Sequence, residues 1–111
     1  MTTVTFRMDG ERVIGFTSRG HSGYGEAGTD IVCAAVTSAI RYAETVVNDV
    51  LGLAASVRVR DGEPPSVSLR LPGGLSPQDE ETVQALMAGL MVYFSQLHSE
   101  YPDSVEVYEE N

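Results

Sequence analysis

Tryptophan and lysine are both missing from this chain, and cysteine occurs once. The single cysteine, Cys33, excludes an intramolecular disulfide framework and any zinc site built on a cysteine cluster. Aromatic residues make up only 7% of the chain, so small aliphatic side chains must build its core. Without lysine, the 7 basic residues are all arginine, set against 16 acidic ones for a net charge of −9. That balance argues against tight binding to phosphate backbones, which needs a Lys/Arg footprint, and no direct nucleic-acid partner is expected. It allows a basic protein or peptide as partner, attracted by steering that salt weakens. No long apolar run is present. The longest helical stretch is interrupted by Arg41, Glu44 and Asn48, so no segment reads as membrane-spanning. The opening residues MTTVTFRMDG lack the basic region and apolar run of a signal peptide. The expected setting is soluble, reducing and cytoplasmic. A length of 111 residues predicts one domain, 1–111, large enough to bury a core.

Residues 2–8 alternate, with Val4, Phe6 and Met8 on one side, as in a half-buried strand. Asp9-Gly10 is a hairpin turn signal, and residues 11–18 return as a second strand. Residues 19–29 carry four glycines in eleven positions and read as a loop. A helix is expected from Asp30 to about Leu51, with Thr29 as N-cap and Asp30 suiting the positive helix end. Strands at 54–60 and 66–71 flank Asp61-Gly62-Glu63-Pro64-Pro65. Ser76-Pro77-Gln78-Asp79 opens a second helix whose buried face is Val83, Leu86, Met87, Leu90, Phe94 and Leu97. Met91 and Tyr93 lie off that face, facing either the same chain or a partner subunit. Val105 and Val107 alternate as a last strand. The order β-β-α-β-β-α-β, with hairpins and two long helices, predicts an α+β sandwich of two or three layers on a mostly antiparallel sheet.

Two places can carry chemistry. Gly23-Tyr24-Gly25-Glu26-Ala27-Gly28 is formally a G-x-G-x-x-G between a strand and a helix. A dinucleotide site is rejected, because the preceding strand closes a hairpin and Glu26 would face the pyrophosphate. The glycines better suit a mobile loop that opens for a substrate or presses close to it. The second place is His21 and Cys33. If the loop folds back so that they meet, a thiol in the first turn of a helix has its thiolate favoured by the dipole and by a nearby imidazolium. The thiolate attacks a carbonyl, the histidine protonates the leaving amine, and first-turn N–H groups face the oxyanion. Without that meeting, Cys33 is a small core residue and His21 a loop residue capping a backbone group. Asp30 shares a helix face with Cys33; it either orients His21 or caps the helix. No ligand spacing supports a metal site, and no cofactor is expected. His98 reads as a surface residue suited to a helix C-terminus.

These residues resemble a known family. Gly20-His21-Ser22, followed by Gly28-Thr29-Asp30-Ile31-Val32-Cys33-Ala34-Ala35-Val36-Thr37, is similar to the signature of the ribosomal-processing cysteine proteases (Prp). Ser22 stands where that pattern has Ala, and Thr37 where it has Ser. The resemblance extends over nearly the whole chain, to Ala88-Gly89-Leu90 and Glu100-Tyr101-Pro102-Asp103-Ser104-Val105. It implies a homodimeric cysteine endopeptidase that removes a short N-terminal extension from a bacterial large-subunit ribosomal protein, number twenty-seven, cutting after an aromatic residue. It implies His21 and Cys33 as the catalytic pair, Asp30 as an assisting acid, and a gating loop containing Gly20, Ser22, Gly23, Tyr24, Gly25 and Gly28. Tyr24 and Tyr42 are candidates for reading the aromatic residue. The competing reading is a non-enzymatic dimeric module that binds a basic peptide or assists ribosome assembly.

Overall fold

The computed structural model describes residues 1–20, 27–62 and 64–111, and of 27–30 the backbone alone. Strand β1 (Thr2–Asp9) turns through Gly10 into β2 (Arg12–Arg19). Gly10 takes φ +63 there, a conformation open to glycine at little cost. Helix α1 (Ala27–Glu44) runs into a π-helical segment, Thr45–Val50. Strands β3 (Ser56–Arg60) and β4 (Ser66–Arg70) form a second hairpin, followed by α2 (Pro77–Glu100) and β5 (Val105–Glu110).

The five strands make one sheet in the order β3-β4-β2-β1-β5. All pairs are antiparallel except β1 with β5. Strand directions therefore make β2-α1-β3 and β4-α2-β5 two parallel crossovers, one helix in each. The sequence order is as expected, and the sheet is mixed rather than purely antiparallel because α2 carries the chain across to β1.

Both helices cover the same sheet face, giving two layers. Val4, Phe6, Phe16, Leu69 and Val105 from the sheet meet Val32, Val36 and Ile40 of α1 and Val83, Met87, Leu90, Phe94 and Leu97 of α2 in one core. Phe6 is its centre, with ring centroids 5.8 Å from Phe16 and 6.2 Å from Phe94, both tilted as aromatic quadrupoles prefer. Leu86 is only half-buried, at the edge of the expected apolar stripe. Ser76 caps α2 as the sequence predicts, its Oγ accepting from the Asp79 N–H at 3.1 Å.

The first helix departs from expectation at both ends. It begins at Ala27, so Thr29 and Asp30 lie within its first turn and Thr29 is not the N-cap. Ala27-Gly28 is helical rather than loop; position in a glycine-rich run outweighed neither the helix-forming stretch that follows nor its packing. At the other end the ladder widens: the Leu51 N–H donates to Val46 O at 2.9 Å, five residues back. The Thr45 hydroxyl donates to Arg41 O at 2.8 Å just before this widening, a back-bond of the kind that loosens a helix.

Candidate active site

Helix α1 leaves part of β3 uncovered. Val59 points to the helix side of this edge strand, yet it is 67% exposed. The gap is a cleft of about 360 Å³. One wall is a stripe of α1 in which Cys33, Thr37, Ile40, Arg41 and Glu44 recur at helical spacing. The other wall is the β3–β4 hairpin, and Ser18 and Gly20 from β2 close one side. Ile40, Val59 and Val67 give the cleft an apolar floor. Arg41 and Glu44 lie on the helix wall and Asp61 on the hairpin wall; Arg60 borders the cleft, but strand alternation turns its side chain to the opposite sheet face.

Cys33 is half-buried and unpaired by any disulfide. It is the seventh residue of α1, in the second turn and not the first. The difference has chemical weight. The field of a helix dipole falls off within the terminal turn, and an interior N–H is used by the helix itself. Donors for an oxyanion at Cys33 therefore have to come from elsewhere than its own first-turn neighbours.

Gly20 places the entrance to the loop. Its N–H donates to Pro65 O at 2.9 Å, which ties the end of β2 to the β3–β4 hairpin. Its φ of +91 is a region that side chains rarely tolerate, and a Cβ there would stand 2.5 Å from Met1 O. Glycine is thus required at the residue that covalently precedes His21, and this residue lines the same cleft as Cys33. His21, Ser22, Gly23, Tyr24 and Gly25 lie outside the described residues; Gly28 and Asp30 are described as helix backbone. Asp30 is three residues ahead of Cys33 on that helix.

Two expectations change here. Tyr42 is 66% exposed and is not part of the cleft wall, because it lies on the flank of α1 turned away from the sheet. His98 is half-buried, with Nδ1 2.7 Å from Val105 O; it ties α2 to β5. The cleft residues Ile40, Val59, Val67, Arg41 and Arg60 were not singled out by the sequence. Alternation marks Val57 and Val59 as facing one side, but no local signal says that α1 stops short of the second.

Comparison with known proteins joins this geometry to a family. The family described as cysteine protease Prp matches residues 1–106. The chain is 30% identical over 110 residues, 96% of each sequence, to a ribosomal processing cysteine protease Prp of Bacillus subtilis strain 168. Its fold is similar to the crystal structure of SMU.848 from Streptococcus mutans, with TM-score 0.86, 23% identity, and coverage of 99% of this chain and 94% of that one. It is also similar to the Prp protease of S. aureus crystallised with a substrate peptide, with TM-score 0.76, 18% identity, and coverage of 99% and 100%. A thiol in a cleft between a helix and an edge hairpin, on this two-layer fold, therefore belongs to a cysteine protease of the ribosomal-processing Prp family.

Proposed function

We propose that this protein is an endopeptidase that removes the short N-terminal extension of bacterial large-subunit ribosomal protein twenty-seven, cutting after an aromatic residue, and that it works in the cytoplasm as a homodimer. The observation that carries this reading is the shared cleft of Cys33 and Gly20, since Gly20 is one peptide bond from His21. The S. aureus relative was crystallised both with a substrate peptide and with a covalently linked product peptide, which supports covalent catalysis in this fold.

In this reading the Cys33 thiolate attacks the scissile carbonyl, forming a C–S bond and an oxyanion. The imidazolium of His21 gives its proton to the leaving amine as the C–N bond breaks. Water then attacks the thioester, His21 takes its proton, and the sulfur leaves to regenerate the pair. Asp30 orients His21. The apolar floor of Ile40, Val59 and Val67 accepts the side chain that precedes the cut. Its openness suits a ring entering from solvent better than a fully enclosed pocket would.

The test is to mix the protein with the extended ribosomal protein and weigh the products by mass spectrometry, with Cys33→Ala alongside. Wild type should give one product shortened after an aromatic residue, and Cys33→Ala none. His21→Ala should lose several orders of magnitude in rate, because only positioning and oxyanion contacts remain. Cleavage retained in Cys33→Ala would overturn the assignment of the nucleophile.

A further inference from the structure

The helices leave the other sheet face bare, and the arginines are gathered there. The registers place Ser56, Arg70, Gly15, Arg7 and Glu110 side by side in one row across the sheet. The next rows are Arg58, Ser68, Thr17, Thr5, Tyr108, and then Arg60, Ser66, Arg19, Thr3, Glu106. Five of the seven arginines of the chain thus share this face. All five are exposed. Arg7 pairs with Glu110 at 3.3 Å. Arg19, Arg58, Arg60 and Arg70 have no ion-pair partner among the described residues. Between them runs a stripe of hydroxyls, two of which, Thr17 and Ser68, touch at 3.1 Å.

A net charge of −9 hides this segregation, since the acids of the registered strands on this face, Glu106 and Glu110, lie on the edge strand β5. We infer that the bare sheet face, from Arg58 and Arg60 across Arg70 to Arg19, binds the phosphodiester backbone of RNA. Three features select that partner. The face has no exposed aliphatic or aromatic anchor apart from Tyr108 at its rim, and specific protein interfaces are built around such anchors. A second copy matches these charges less well than a polyanion does. Stacking two copies about an axis along β2 sets Arg19 on its own mate and Arg70 over Arg7, against which only Arg60 over Glu106 is attractive, whereas an axis across the strands sets the arginine-bearing β3 on itself. A phosphate backbone is negative throughout, and arginine with Ser and Thr hydroxyls is the usual set that holds it. The hydroxyls also offer partners to the ribose 2′-OH, which selects RNA over DNA. This face is opposite the one that carries α1 and Cys33, so binding does not depend on the cleavage reading.

The experiment is fluorescence anisotropy of a labelled single-stranded RNA of mixed sequence, about 20 nucleotides long, titrated with the whole protein between 25 and 200 mM salt. Four free arginines predict a log–log salt slope of about −3. Arg19→Ser/Arg58→Ser/Arg70→Ser should flatten the slope to roughly −0.7 and weaken binding at low salt at least tenfold. The matching triple Lys variant, which keeps the charge, should retain most of the binding. Should the triple Ser variant fail to fold by circular dichroism, the single variants replace it, each lowering the slope by about 0.7. DNA of the same sequence should compete at least threefold less well than RNA, and polyglutamate less well still. No RNA binding at 25 mM salt, binding unmoved by the face variants, or equal competition by DNA or polyglutamate would each overturn the inference.

Discussion

The side-chain amide of Gln84 grips both backbone polar groups of Val13, accepting from its N–H and donating to its C=O, each at 2.8 Å. The register of β1 with β2 slips between Arg7 and Met8, so that Met8 meets Val13. On the other side, pairing of β2 with β4 ends at Gly15 opposite Arg70. Val13 thus lies beyond the ladder, and Gln84 takes the place of a strand. Arg12 strengthens the same junction through Glu80 at 2.6 Å and Pro72 O at 3.3 Å. Gln84→Ala would leave a part-buried donor and acceptor without partners, at about 2 kcal/mol. We expect the melting temperature to fall by roughly 10 °C. A fall of under 2 °C would show that water replaces the amide freely.

Asn48 makes a second clasp of the same kind at the exit of the π-helical segment. Its Oδ1 accepts from the Ala55 N–H at 2.6 Å, and its Nδ2 donates to Ala55 O at 3.1 Å. The clasp holds a turn in which Ala54 sits at φ +56, a left-handed conformation that costs a non-glycine residue roughly 1 kcal/mol. Two opposite outcomes are expected in chemical denaturation. Asn48→Ala destabilises by about 1–2 kcal/mol, whereas Ala54→Gly is neutral or stabilising by up to about 1 kcal/mol. Destabilisation by Ala54→Gly would mean that the turn does not strain that residue.

Much of this architecture is legible in the residues, and the exceptions have physical causes. Alternation in Val4-Phe6-Met8, the Asp9-Gly10 turn and the Ser76 cap are local signals, and the structure keeps them. The mixed sheet is not local: β5 joins β1 in parallel because α2 spans the sheet, and no residue of β5 encodes its neighbour. The start of α1 is obscured by Gly28, which weakens a helix without forbidding it. Cys33 stands out by composition, but its cleft does not. The cleft depends on where α1 lies across the sheet, a tertiary property that leaves Val59 exposed. The gathering of arginines is likewise invisible to net charge, since it needs the register of four strands.

Thr2 has a buried Oγ1 with no hydrogen-bond partner among the described residues, next to Val105 across the parallel pair. Its backbone N–H donates to Ser104 O at 3.0 Å. The hydroxyl is buried without compensation. Thr2→Val keeps the shape and removes the unmet group, and we expect a gain of about 1 kcal/mol in denaturant titration. A loss of stability would show that the hydroxyl holds a partner such as an ordered water.

Gly20 couples fold to site. With φ +91 and 2.5 Å between a built Cβ and Met1 O, Gly20→Ala forces the end of β2 away from the N-terminus or from Pro65. We expect a loss of at least about 2 kcal/mol, together with a fall in cleavage larger than the unfolded fraction explains. Activity is measured well below the variant's melting temperature to separate the two effects. Gly10→Ala is the control: it also has positive φ, but nothing lies within 4 Å of its Cβ. It should cost stability without the excess loss of activity.

Val59 separates the role of the cleft floor from the reactivity of the thiol. Because it is already 67% exposed, changing its polarity should alter stability by less than about 0.5 kcal/mol. A carboxylate there meets an apolar side chain of the substrate and must be desolvated when that side chain docks. Val59→Asp is therefore expected to lower kcat/KM at least tenfold on a peptide with an aromatic residue before the cut. The rate at which iodoacetamide alkylates Cys33 should change much less, since that small reagent does not use the floor. Val59→Leu should retain most of the activity. If Val59→Asp cleaved as well as wild type, the aromatic side chain would have to bind elsewhere than between α1 and β3; if it slowed alkylation as much as cleavage, the substitution would be acting on the thiol and not on the pocket.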